Sequence, residues 1–235
     1  MPQAAFVVLA AGTGSRLGAV HDGVPLNKAY LPLAGLPLAA WSLLWAADVD
    51  SVGALILVTR ADDRALALDV AAQVTRRRPA APPVEVVVGG GTRHASEAAA
   101  LQHLRPRVLA GDVDIVAVHD AARPLAGAPL LEAVLAAATR WGGALPGVPA
   151  RELLGLEGPA PRDLVRVQTP QAFAALPLLT AFDRAAVEGV EGTDTASTVE
   201  RYAGVRVHVV PGDEHNLKIT YPRDLAVAAH LLEGA

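Results

Sequence analysis

Ala4-Ala5-Phe6-Val7-Val8-Leu9-Ala10-Ala11-Gly12-Thr13-Gly14-Ser15-Arg16-Leu17-Gly18 runs from a short apolar stretch straight into a loop of small side chains. The apolar part is too short for a helix and ends at glycine, so it reads as a buried strand that empties into a loop. Similar β-rich runs recur at residues 54–58, 84–88, 115–118 and 205–210, and helical spacing fills residues 37–47, 62–77, 95–104, 129–141 and 222–232. Strand and helix in alternation predict an α/β chain built on a doubly wound, mostly parallel sheet. The strands are apolar without alternation, so both faces of the sheet should be covered. In the last helix Pro222 suits the first turn, with Thr220 as the expected N-cap.

One stretch breaks the rhythm. Residues 147–162 are rich in Pro and Gly, carry Arg151, Glu152, Glu157 and Arg162, and lack the periodicity of a core layer. They read as an arm protruding from a single domain that spans residues 1–235. Leu153, Leu154 and Leu156 sit between the arm's charges, and a two-fold partner offering the same arm would let both copies bury them. A homodimer is therefore expected.

Composition narrows the function. With 52% apolar and 19% charged residues the chain has material for a large core, and its net charge of -4 leaves no electrostatic footprint for a nucleic-acid polymer. Three Phe, three Tyr and three Trp are too few for stacking platforms that bind bases. Without cysteine there is no disulfide, thiolate metal site or Cys nucleophile, and the seven histidines lack paired ligand spacing. No membrane span, no leader pattern and a cytoplasmic location are the expectations.

The loop after the first strand brings backbone N–H groups close to a polyphosphate because few side chains stand in the way, and Arg16 adds charge there. It is neither a Walker A loop nor a dinucleotide fingerprint. Asp120 ends the fourth predicted strand, where α/β sheets put their ligands; beside phosphates a carboxylate serves as a magnesium ligand or a hydroxyl partner, and an isolated Asp here could instead cap a helix.

Read with that loop, Lys28-Ala29-Tyr30-Leu31, Gly90-Gly91 with Arg93 and Ser96, His119-Asp120-Ala121-Ala122-Arg123-Pro124, Gln168-Thr169-Pro170-Gln171-Ala172-Phe173, Thr193-Asp194-Thr195-Ala196-Ser197 and Asn216-Leu217-Lys218-Ile219-Thr220 occur in a fixed order. In order and spacing the whole chain resembles the 2-C-methyl-D-erythritol 4-phosphate cytidylyltransferases, enzymes of non-mevalonate isoprenoid synthesis with a Rossmann-like nucleotidyltransferase fold. The resemblance implies transfer of CMP from CTP to 2-C-methyl-D-erythritol 4-phosphate with Mg²⁺, giving 4-diphosphocytidyl-2-C-methyl-D-erythritol and pyrophosphate. It implies catalytic roles for Arg16, Lys28, Arg162 and Lys218. For CTP it implies Ala10, Ala11, Gly12, Thr13, Gly14, Gly90, Ser96, Asp120 and Ala121; Ser96 could alternatively cap its helix. For the acceptor it implies Asp120, Arg123, Thr169, Lys218 and the partner-directed Arg162, and for the metal Asp120 with Asn216. His119 and His215 are read as neighbours of the site. A phosphate monoester oxygen is already a nucleophile near neutral pH, since its second pKa is about 6, so no Ser, His or Cys nucleophile is required.

The chain departs from the family pattern in three places. Asn27 precedes Lys28 where the family usually has proline, after a slightly extended loop at residues 18–26, which should alter the approach of Lys28. Arg151 is followed by Glu152-Leu153 where an acceptor-touching threonine is usual, and the spacing to Thr169 leaves Arg166 as a second candidate for the arm arginine beside Arg162. These departures fall on acceptor contacts more than on CTP contacts, which leaves a ribitol 5-phosphate or other polyol-phosphate cytidylyltransferase as the nearest alternative. A nucleotide-binding regulator without turnover is the alternative from another class; it would not need the acceptor lysine, Lys218.

Overall fold

The computed structural model describes residues 2–12, 20–21, 24–150, 154–155, 158–159 and 164–233. Its main sheet has eight strands: β1 (Ala4–Leu9), β2 (Val52–Thr59), β3 (Val84–Val88), β4 (Ile115–Asp120), β5 (Gly143–Pro149), β6 (Val165–Val167), β7 (Gln171–Ala174) and β8 (His208–Pro211). β1 lies at the middle, parallel to β2 on one side and β4 on the other, with Val7 opposite both Ile56 and Val118. β3 extends the sheet beyond β2 in parallel. β7 pairs antiparallel with β4 and with β5, β6 continues that antiparallel pairing along β5, and β8 runs parallel to β5. The sheet is therefore mostly parallel, as predicted.

Seven helices accompany it among the described residues: α1 (Leu38–Ala46), α2 (Arg64–Arg77), α3 (Arg93–Ala110), α4 (Gly127–Trp141), α5 (Ala175–Glu188), α6 (Thr195–Ala203) and α7 (Pro222–Glu233). Side chains of β1 alternate between two cores. Phe6 and Val8 pack with Leu43 of α1, Val70 of α2 and Leu131 of α4, whereas Ala5 and Val7 pack with Leu101 of α3, Leu178 of α5 and Val199 of α6. The sheet is doubly wound, and each fully buried Leu, Val or Phe contributes about 1.5–3 kcal/mol before ordering costs. A smaller cluster of Leu31, Leu33, Leu38, Ile219 and Ala228 packs α7 against the start of α1.

β1 and β3 begin and end where the sequence predicts. α3 differs at both ends: Thr92 caps it, its hydroxyl accepting the N–H of Ala95, and it continues through Pro106 to Ala110. Pro106 is on the exposed face, where the carbonyl it leaves unbonded can turn to water. Thr220 does not cap α7; its hydroxyl donates to Lys218 O, and Asp224 accepts the N–H groups of Thr220 and Tyr221. The largest difference is at the start of the expected arm. Gly147–Pro149 belong to β5, with Val148 buried and registered against Arg166 of β6. Glycine is needed at residue 147 because a Cβ there would stand 2.7 Å from Val209 Cγ1, so a loop signal in the sequence is here a close approach of strands. Within the arm Leu154–Gly155 pairs antiparallel with Gly158–Pro159.

Candidate active site

The chain leaves β1 for β2 on one side, and after β3 crosses back to β4 on the other. That makes the gap beyond the carboxyl ends of β1 and β4 the topological switch point, where open α/β sheets bind ligands. A cavity of about 290 Å³ opens there. Its floor is Leu9 to Gly12 at the end of β1 and Asp120 to Ala122 at the end of β4; its walls are Asn27 to Ala29, Gly91 to Arg93 with Ser96 at the start of α3, and Lys218.

Two networks hold the floor. Ala10 donates its N–H to Val58 O at 2.7 Å, and its carbonyl accepts Asn27 Nδ2 at 2.7 Å, so its main-chain groups are already engaged and the free peptide edge of the loop begins at Ala11. At β4, Thr169 Oγ1 accepts the N–H of Asp120 at 3.1 Å and offers its own proton to His119 Nδ1 at 3.1 Å, which leaves His119 Nε2–H to donate to Arg123 O at 3.0 Å. His119 is wholly buried against Phe6 and Trp45, and burial pushes its pKa down to about 4, so the ring is a neutral structural link.

Asp120 is the acidic centre of the cavity. Its Oδ2 accepts Lys218 Nζ at 2.6 Å, and Arg93 Nε lies 3.5 Å from its Oδ1. Burial alone would raise its pKa, but Lys218 and Arg93 outweigh that and hold the carboxyl well below the usual range. Arg93 is in turn gripped by Glu97, which is 1% exposed and also accepts Thr195 Oγ1 at 2.6 Å. Lys28 Nζ reaches Ile219 O at 3.2 Å, and Ile219 N donates to Ala122 O at 2.8 Å, so the segment before α7 is strapped across the cavity. The cavity is thus lined by three cations and one ionised carboxylate: Lys218 and Arg93 stand against Asp120, and Lys28 is held on another wall.

Of the expected residues, Ala10, Ala11, Gly12, Lys28, Ser96, Asp120, Ala121 and Lys218 form the cavity. Ser96 is not the cap of α3; its hydroxyl is 2.9 Å from Thr92 O and 3.3 Å from Gly90 O. Gly90 backs the wall, where a Cβ would collide with Ala95 Cβ. Thr169 supports Asp120 from behind, and Arg123 binds Asn216 O at 2.6 Å. Asn216 is fully buried, its Nδ2 donating to Thr169 O at 2.9 Å, and its Oδ1 has no hydrogen-bond partner among the described residues. Arg166 is exposed on β6. Thr13, Gly14, Arg16, Leu153 and Arg162 lie outside the described residues. Asn27, apart from its departure from the family pattern, and Glu97 are functional neighbours that the sequence does not mark; for Glu97 the trace is a carboxylate in the first turns of a helix among small residues.

The sequence profile of the 2-C-methyl-D-erythritol 4-phosphate cytidylyltransferase family matches residues 4–234. The chain belongs to this family. It is 36% identical over 237 residues to the 2-C-methyl-D-erythritol 4-phosphate cytidylyltransferase of Solibacter usitatus, covering 95% of this chain and 93% of that protein. It is 37% identical over 239 residues to the bifunctional enzyme IspD/IspF of Dinoroseobacter shibae, covering 99% of this chain but 54% of that protein, so it spans about half the length of that relative. The crystal structure of 2-C-methyl-D-erythritol 4-phosphate cytidylyltransferase from Thermus thermophilus superposes with a TM-score of 0.72 at 28% identity, covering 98% of this chain and 99% of that one. For a cytidylyltransferase of this family the departure at residue 27 is conformationally mild: Asn27 has φ -63° and ψ 129°, angles proline also adopts.

No helix among the described residues is long and apolar enough to cross a membrane.

Proposed function

We propose that the chain transfers CMP from CTP to 2-C-methyl-D-erythritol 4-phosphate, giving 4-diphosphocytidyl-2-C-methyl-D-erythritol and pyrophosphate. The observation that carries this reading is one cavity lined by Lys28, Arg93, Lys218 and Asp120, at the switch point of the sheet in a chain that fits the family over nearly its whole length. An acceptor phosphate oxygen attacks the α-phosphorus of CTP in line with the departing pyrophosphate, so negative charge builds where these cations stand. Preorganised cations lower that barrier without a proton transfer; losing one such contact typically costs about 2.7–4 kcal/mol. Lys28 and Arg16 are assigned to this charge, and Lys218 to the acceptor phosphate.

Family membership implies dependence on Mg²⁺. Among the described residues no three His, Cys, Asp or Glu cluster as a metal cage. A single ionised carboxylate on the cavity floor suits magnesium, which takes one or two carboxylates and fills its remaining positions with phosphate oxygens and water. Asp120 would hold it, with Asn216 fixing Thr169 behind, and bound metal would supply charge neutralisation at the triphosphate. Cytosine recognition is assigned to main-chain groups near Ala11, Gly12, Gly91 and Ser96, and acceptor binding to Lys218, Asp120, Arg123 and a partner's Arg162 or Arg166.

The active form is proposed to be a homodimer whose arms cross. Leu164, Val165, Val167 and Val209 are exposed apolar residues at the arm's base, and Val165 and Val209 converge on Gly147. Such a strip is expected at a protein contact. Pyrophosphate release with CTP, Mg²⁺ and a panel of polyol phosphates tests the acceptor: the methylerythritol phosphate should exceed ribitol 5-phosphate at least about tenfold in kcat/KM, a difference of about 1.4 kcal/mol. Equal or reversed preference would move the assignment to another polyol phosphate. Mixing the strongly impaired Lys28→Ala and Arg162→Ala proteins tests the crossing, because a heterodimer gathers both defects in one site and leaves the other intact. A mixture that stays inactive after proven subunit exchange removes the crossed arms.

A further inference from the structure

Lys28 opens a single 3-10 turn, Lys28–Tyr30, and that turn is fastened at both ends by side-chain hydrogen bonds. At its end Tyr30 Oη bonds Thr59 Oγ1 at 2.5 Å, on the last residue of β2. At its start stands Asn27, 3% exposed. Both donors of its amide are committed: Nδ2 gives one hydrogen bond to the Ala10 carbonyl at 2.7 Å and one to Asp63 Oδ2 at 2.8 Å. Its Oδ1 accepts the N–H of Ala29 at 3.1 Å, capping the turn. Asp63 is clamped from its other side by Arg60, through Nε at 2.6 Å and Nη2 at 3.0 Å. Burial would raise the Asp63 pKa, but the bonds from Arg60 and Asn27 outweigh it and keep the carboxyl ionised, hence a strong acceptor.

This arrangement addresses a particular difficulty. A lysine is a point charge on a flexible four-carbon stem, so the position of its ammonium depends on where its Cα is held. Catalytic groups must stand within about 0.5 Å of their working position, and a misplacement of about 1 Å can cost on the order of a hundredfold in rate. We propose that Asn27 is the positioning residue that sets the reach of Lys28, by tying the turn that begins with Lys28 to the Ala10 carbonyl beside the nucleotide loop and to the Asp63–Arg60 pair. Asn27 thereby joins three elements: the loop proposed to receive CTP, the turn that carries the cation, and the short turn Ala61–Asp63 that leads into α2. Its amide acts through Lys28 and has no donor left over for substrate.

The inference rests on the assignment of Lys28 as a transition-state cation, and a double-mutant cycle on the full chain separates the two ideas. Asn27→Ser keeps a side-chain oxygen able to cap Ala29 and loses the amide that reaches Ala10 and Asp63. Pyrophosphate release should show kcat lowered at least about tenfold by Asn27→Ser, with the acceptor KM within about twofold of wild type. In a Lys28→Ala background the same substitution should change the residual kcat by less than about twofold, because an effect transmitted through Lys28 vanishes with it. A wild-type kcat in Asn27→Ser, or losses that multiply in the double variant, overturns the positioning role and leaves the assignment of Lys28 standing. Unchanged turnover in Lys28→Ala overturns that assignment, and the inference with it. Should Asn27→Ser not fold, Asp63→Asn probes the same tie: kcat should fall about threefold in wild type and stay constant in Lys28→Ala, and equal losses in both backgrounds overturn the proposal.

Discussion

Asp63 and Asp120 both stand near the carboxyl end of a parallel strand, each mostly enclosed and each beside an arginine, yet their surroundings differ in kind. Asp63 receives three hydrogen bonds, two from Arg60 and one from Asn27. Asp120 has one short bond, to a lysine whose side chain is 41% exposed, and a looser approach from Arg93 at 3.5 Å. A carboxylate gripped on both oxygens by three donors is part of the frame. One with a single close partner at the cavity's mouth can exchange that partner for an arriving cation or phosphate-bound metal. The acid proposed to work on substrate is therefore the less satisfied of the two.

The widest separation should come from removing each carboxylate. Asp120→Ala is expected to lower kcat at least about a hundredfold while Tm moves by a few degrees. Asp63→Ala should do the reverse, lowering Tm by about 5–10 °C because buried donors lose their acceptor, with a loss of kcat of about tenfold or less. Thermal melts alongside pyrophosphate release decide it, and a larger kinetic loss at Asp63 than at Asp120 would break the contrast.

Glu97 provides the finest test, since it lies behind the cavity yet grips Arg93, one of its cations. Burial pushes its carboxyl up to about 7 from 4.5, against the pull of Arg93 and Thr195. The folded chain thus holds a proton that the unfolded chain has lost, and the contribution of Glu97 to stability, full below about pH 4.5, declines as pH rises toward about 7. In Glu97→Gln that decline is absent. The Tm of the variant measured against wild type should improve by a few degrees between about pH 5 and 7. A difference that stays constant across that window would mean Glu97 is ionised throughout and belongs with Asp63.

How much of this was legible in the sequence depended on whether the signal was local. β1 could be read to the residue because it is an uninterrupted apolar run, and β3 because Pro82-Pro83 and Gly89 to Gly91 bracket it. α5 was not foreseen: it follows β7 directly, without a side-chain cap to announce it. α6 has a capping box at Asp194 and Ser197, but those residues sit within a motif read for its ligand chemistry. At the site, Lys28, Asp120, Ser96 and Lys218 stood out by their motifs. Asn27 and Glu97 did not, since their meaning comes from Asp63, 36 residues away, and Thr195, 98 residues away, and no periodicity connects such pairs. Gly147 of β5 misled in the opposite direction, because close strand packing and a loop use the same residue.

The strap at Lys218 and Ile219 has a consequence for how the protein is made. Every strand of the sheet, from β1 to β8, precedes it in the chain. During synthesis the scaffold can collapse around β1, β2 and β4 while the cavity still lacks the lysine that neutralises Asp120 and the carbonyl that receives Lys28. Until residues 218 and 219 are free to dock, the pocket holds Lys28 and Arg93 with Asp120 but lacks its third cation and the strap that closes it.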